Sequence, residues 1–134
     1  MDRLDIFFKF LVTVSGGVAG YLFGGWHALI QILLVFVAID YVTGLLAAGY
    51  EGKLSSQVGF KGIAKKTMIF AVVAVAHLID KAIGDSHVFR DAVIFFYLAN
   101  EVLSILENAG RTGLPVPEQI RNAVQVLKGK GDGK

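Results

Sequence analysis

FLVTVSGGVAGYLFGGWHALIQILLVFVAI, residues Phe10 to Ile39, runs for 30 residues without an Asp, Glu, Lys or Arg. It is too apolar to solvate and too long for one membrane crossing. At ~1.5 Å per residue a helix of this length extends ~45 Å, against a hydrocarbon core of ~30 Å. Gly24 and Gly25 interrupt it near the middle, and Trp26 and His27 follow. Two glycines weaken a helix, and Trp favours the membrane–water boundary. The run is therefore read as two spans joined by a tight turn, and the chain as an integral membrane protein.

Composition points the same way. Hydrophobic residues make up 54% of the chain and charged residues 18%, whereas soluble domains carry about 25% charged residues. The length of 134 residues accommodates one small helical domain. Cysteine is absent, which excludes disulfides and thiolate chemistry. The net charge of +2 is too small to argue for nucleic acid. Met1 to Lys9 balances Arg3 and Lys9 against Asp2 and Asp5, so it lacks the positive n-region of a cleaved signal. The first segment is read as a permanent helix.

Four apolar segments follow in order, at about 7–23, 28–48, 63–83 and 92–106. The fold class expected is an all-α membrane bundle of about four transmembrane helices over 1–109. A tail, 110–134, adds a short amphipathic helix and a basic end. The fourth segment holds Asn100, Glu101 and Ser104, so a three-span reading, with the first or fourth segment flat or re-entrant, also fits. Basic residues set the orientation. Lys53, Lys61, Lys65 and Lys66 follow the second span, and Arg111, Arg121, Lys128, Lys130 and Lys134 follow the fourth. The turn after the first span has neither Lys nor Arg, and between spans three and four only Lys81 and Arg90 stand against Asp80, Asp85 and Asp91. Cytoplasmic loops attract the Lys/Arg excess. Both termini and the middle loop are expected in the cytoplasm, which requires an even number of spans. In the tail, Gly110, Gly113, Pro115 and Pro117 are expected to break the fourth helix. Glu118 to Leu127 then reads as a short helix with Ile120, Ala123, Val124 and Leu127 on one face.

Small residues mark contact surfaces. Gly16, Gly20 and Gly24 form a ridge at four-residue spacing, repeated by Gly44 and Ala48 in the second span. Helices in lipid associate by close backbone approach, so these ridges are helix contacts, either within one chain or between copies. Polar groups inside the apolar segments matter more. Asp40, His77 and Asn100 are candidate switch residues, since an intramembrane acid costs ~2.5–3.5 kcal/mol on insertion scales. Arg90, Ile94, Tyr97, Glu101, Ser104 and Asn108 recur at alternating steps of three and four, one side of a helix. Tyr97, Glu101, Ser104 and Asn108 are the candidate lining of an aqueous path. The plainer reading makes Asp40 and Glu101 hydrogen-bonded contacts that fix register. Lys53, Lys61, Lys65 and Lys66 form a basic rim suited to anionic headgroups.

No enzyme signature emerges. Gly59, Gly62 and Lys65 resemble a phosphate loop only loosely, without its GK[ST] ending, and read as a flexible basic loop. His27, His77 and His87 have no metal-ligand spacing, and no serine stands in a nucleophile elbow. No catalytic residue, cofactor or metal is expected. The chain is also short for the paired inverted repeats of a transporter.

Several blocks together resemble the phage-lysis and toxin-secretion holin family of Gram-positive bacteria and their phages. They are Asp40-Tyr-Val-Thr-Gly44, then Ser55-Ser56 with Gly59, Gly62, Lys65 and Lys66, then Asp80. Asn100-Glu101 with Ser104, Glu107 and Asn108, and finally Gly113, Pro115 and Pro117, complete the match. The resemblance implies a small multi-pass protein of the bacterial cytoplasmic membrane that forms homo-oligomers and permeabilises the bilayer. Its partners would be its own copies and lipid, with functional partnership to an endolysin or a toxin without direct contact. Two other classes fit the residues: a narrow cation-preferring channel, and a non-conducting accessory subunit of a membrane complex.

Overall fold

A computed structural model describes residues 2–84, 86–120, 122–123 and 126. The described residues form no strand. Four helices follow in order: α1 (Arg3–Phe23), α2 (Ala28–Tyr50), α3 (Ser56–Ile83) and α4 (Val88–Arg111). They contain 21, 23, 28 and 24 residues, so each spans at least ~30 Å at ~1.5 Å per residue. Three of them, α1, α2 and α3, are long and apolar enough to cross a membrane. Helix α4 has the length but carries Arg90, Asp91, Glu101, Glu107 and Arg111. Downstream, Glu118 to Ile120, Asn122, Ala123 and Val126 are helical. Val124 and Leu127, expected on the same face, lie outside the described residues.

The ends of the helices follow from local chemistry. Gly24 (φ 75°) closes α1 in the left-handed conformation, and the Gly25 N–H reaches back to the Gly20 carbonyl at 2.7 Å. That is the glycine-terminated helix stop in which a residue past the cap bonds five positions back. Gly52 (φ 72°) ends α2 in the same way, with the Lys53 N–H on the Ala48 carbonyl at 2.8 Å. Ser55 starts α3, its Oγ accepting the Val58 N–H at 3.2 Å.

Three expectations are corrected here. Residues 56–62 are not loop: α3 begins at Ser56, so Gly59, Gly62 and Lys65 are helical rather than part of a flexible basic loop. The serine cap supplies the early start. Gly110 does not break α4, which continues to Arg111 and stops before Gly113 (φ 84°). Gly24 does not extend the ridge of α1, because as the left-handed stop it leaves the helix.

The chain divides into two compact units, one of Met1–Val35 with Lys66–Tyr97, the other of Phe36–Lys65 with Leu98–Lys134. The first contains α1, the start of α2, most of α3 and the first half of α4. Its buried residues include Ile30, Leu33, Val73, Ala74, Ala76 and Ile94. The second contains the rest of α2, the N-terminal turns of α3 and the second half of α4, with Val37, Ala47 and Ala48 buried.

Candidate functional site

Helix α4 has a polar side and an apolar side, and the polar side is the buried one. Arg90, Glu101 and Asn108 retain 6%, 3% and 5% of their exposure, and Ile94 retains none. Tyr97 and Ser104, on the same stripe, are half-buried. Phe95, Phe96 and Val102, on the opposite side, are exposed. The four candidate lining residues therefore share one concealed side in the single chain. Of the candidate switch residues, Asp40 and His77 are buried. Asn100 is exposed on the other side of α4 and joins neither.

In the second unit the buried stripe meets Asp40. The Asn108 amide nitrogen donates to Asp40 Oδ1 at 2.8 Å, to the Asp40 carbonyl at 3.2 Å and to Thr43 Oγ1 at 3.0 Å. Thr43 in turn donates to the Ile39 carbonyl at 2.8 Å. Arg111 donates from Nη1 to Asn108 Oδ1 at 3.2 Å and from Nη2 to Glu51 Oε1 at 2.7 Å. A chain of polar contacts thus runs from mid-α2 through the end of α4 to the loop after α2. The hydrogen bond from Arg111 holds the Glu51 carboxyl below its ordinary range. Ala48 packs in this region at 3% exposure. A Cβ added at Gly44 would lie 3.5 Å from the Asn108 amide nitrogen. This ridge is used inside the chain.

The motif around Asp40 has a second face. Tyr41 donates its hydroxyl to the Gly59 carbonyl at 3.1 Å. A Cβ at Gly62 would stand 2.9 Å from the Tyr41 ring. Gly59 and Gly62, one helical turn apart, make the notch that receives the ring. The spacing is visible in the sequence, but it signals an aromatic partner only once the segment is known to be helical. Lys53, Lys61 and Lys65 are exposed and Lys66 is half-buried.

In the first unit the ridge on α1 behaves differently from Gly44 and Ala48. No residue of α1 is buried, and nothing lies within 4 Å of a Cβ added at Gly16, Gly17 or Gly20. At the other end of α1, residues remote in sequence converge. Asp80, fully buried, accepts the backbone N–H groups of Phe89 and Arg90 at 3.0 and 2.8 Å and so caps α4 from α3. Arg90 donates to the Phe23 carbonyl at 3.3 Å and pairs with Asp91 at 2.9 Å. His77 and His87 stack with ring centroids 6.1 Å apart. The sequence reading missed this cluster, because His27 and His87 lie in separate connections and no spacing rule joins them.

A model described as the bacteriophage holin family matches residues 17–129. An uncharacterized protein of Listeria monocytogenes is 50% identical over 127 residues, covering 95% of this chain and 91% of that one. An uncharacterized protein of Halalkalibacterium halodurans is 44% identical, covering 94% and 97%. One from Clostridium perfringens is 36% identical over the full length of both. No solved structure matches the chain significantly.

Proposed function

The chain belongs to the bacteriophage holin family, and from that premise we propose that its copies accumulate in the bacterial cytoplasmic membrane, assemble, and open a lesion. A cell-wall hydrolase then escapes or is activated and the host lyses; toxin export is the same event with another cargo. Both termini lie in the cytoplasm, and no cofactor or catalytic group takes part.

The observation that carries this reading is the way polarity is distributed. The helix with no buried residue, α1, is apolar, while the one helix outside the strongly apolar set, α4, buries its polar side. Buried charge in a membrane bundle is costly, and inert packing is served as well by leucine. A polar side concealed in the single chain and presented to water when copies gather gives that cost a purpose. In the open assembly Tyr97, Glu101, Ser104 and Asn108 line the lesion, and Asp40 exchanges its contact with Asn108 for water.

The test is release from liposomes loaded with a small dye and a fluorescent protein. Release of both supports a lesion. Ion leakage with the dye and protein retained marks a narrow channel, and no leakage at all marks an accessory subunit. The variant Glu101→Leu with Ser104→Leu is expected to lose release and delay lysis. Unchanged leakage and timing in that variant would remove α4 from the lining.

A further inference from the structure

The end of α1 rests on an electrostatic cluster that the lesion reading does not use. Gly24 is seated so closely that a Cβ there would stand 2.6 Å from Arg90 Nη1 and 2.7 Å from His77 Cε1. Arg90 Nη1 also holds the Phe23 carbonyl. His77 retains 2% of its exposure and stacks on His87. His87 itself is held at φ 61°, a left-handed backbone uncommon for a non-glycine residue. His27, one turn beyond α1, lies within electrostatic range of Arg90, Asp91 and His87. Three imidazoles and one guanidinium thus gather at the point where α1 is attached.

From this geometry we infer that the cluster is a proton-sensitive latch: acidification at this end of the bundle loosens the C-terminal end of α1 from α3 and α4. The device goes beyond lesion formation and holds whether or not the chain opens one. Charge counting gives the threshold. With neutral histidines, Arg90 faces two carboxylates, Asp80 and Asp91. Both are already engaged, Asp80 by two backbone N–H groups and Asp91 by Arg90. Among these three groups a first proton brings the sum to neutrality, and a second makes it cationic around the buried guanidinium. Of the remaining charged or titratable groups among the described residues nearby, Lys81 adds positive charge and stacks on Tyr21 of α1 at 5.8 Å. It offers no compensation.

Elsewhere on α1, Phe23 stands edge-on to Phe70 at 5.9 Å and Tyr21 meets Lys81. Repulsion in the seat therefore acts on a helix none of whose residues is buried. The sign follows for His27. Burial first, then Arg90, lowers its pKa below 6.5 in the latched state. A base that is harder to protonate when latched stabilises the latch fully above its free pKa. That stability is lost as pH falls below 6.5 and through the lowered value.

The chain has no cysteine, so two can be introduced cleanly on exposed positions of α1 and α3. Nitroxides at Val18→Cys and Val75→Cys in phosphatidylethanolamine–phosphatidylglycerol vesicles report the position of α1 by pulsed dipolar spectroscopy. One short interspin distance is expected at about pH 7.5, and a longer, broader distribution at about pH 5. Substituting His27, His77 and His87 together by Gln is expected to abolish the shift. His27→Lys, a permanent charge at the half-exposed member, is expected to give the acid distribution already at neutral pH. An unchanged distribution in the unsubstituted cluster would overturn the latch. So would a shift that persists without the histidines, or a neutral-pH distribution in His27→Lys identical to that of the parent.

Discussion

At the scale of single residues, the block around Asp40 shows how a short motif can serve two neighbours at once. Asp40 and Thr43 meet Asn108, while Tyr41 between them turns to Gly59 and Gly62. The Asn108 amide has two hydrogens and three oxygens within reach, so it is shared among them rather than matched one to one. That is a contact able to rearrange without leaving Asp40 bare. The glycines differ in what they tolerate. A Cβ at Gly62 would press on the Tyr41 ring at 2.9 Å, whereas one at Gly44 would make an ordinary contact at 3.5 Å. Gly62→Ala is therefore expected to destabilise the bundle by roughly 1–3 kcal/mol, the usual cost of overpacking. Gly44→Ala should stay within about 0.5 kcal/mol of the parent. Thermal unfolding in detergent, followed by helical circular dichroism, separates them; equal losses would show that Tyr41 does not occupy the notch.

Among the elements, α1 and α4 are opposites. Helix α1 is apolar, unburied and smooth at Gly16 and Gly20, while α4 turns Arg90 and Glu101 inward. In lipid such a smooth face gains by packing against another helix. Gly16→Leu with Gly20→Leu should leave the melting temperature of the single chain unchanged or raised, since leucine is the better helix former. The same pair should abolish cross-linked oligomers in membranes; oligomers that persist would place the contact elsewhere. Helices α1 and α2 and the stop at Gly24 were legible because apolar runs and glycine pairs are local signals. The polar stripe of α4 was legible because its spacing is helical. The start of α3 was misread, because Gly59 and Gly62 suggest a loop when Ser55 is not recognised as a cap. The cluster at the end of α1 was invisible, since its members are joined only by folding. The two glycine ridges, alike in sequence, differ in use for the same reason: whether a neighbour fills a groove is a tertiary fact.

For the whole molecule, the question left by three strongly apolar helices and one polar one is whether the chain crosses the membrane an even number of times. Charge answers it if α4 spans. Lys53, Lys61, Lys65 and Lys66 cluster after α2, Arg111 ends α4 and Arg121 follows it, and the side of a loop is set by its Lys/Arg excess. Placing both groups in the cytoplasm requires α4 to return across the bilayer. Its burial pattern fits that path, because its apolar side, with Phe95, Phe96 and Val102, is the exposed one and Arg90 and Glu101 are turned away from lipid. The absence of cysteine allows a direct test. Single cysteines at Trp26 and Ser86 should react with an impermeant maleimide in intact cells, whereas Lys53→Cys and Leu114→Cys should react only after permeabilisation. Labelling of Leu114→Cys from outside, with Ser86→Cys unchanged, would mean that α4 lies along the surface. The concealed polar side would then face headgroups, and the proposed lining of the lesion by Glu101 and Ser104 would fail with it.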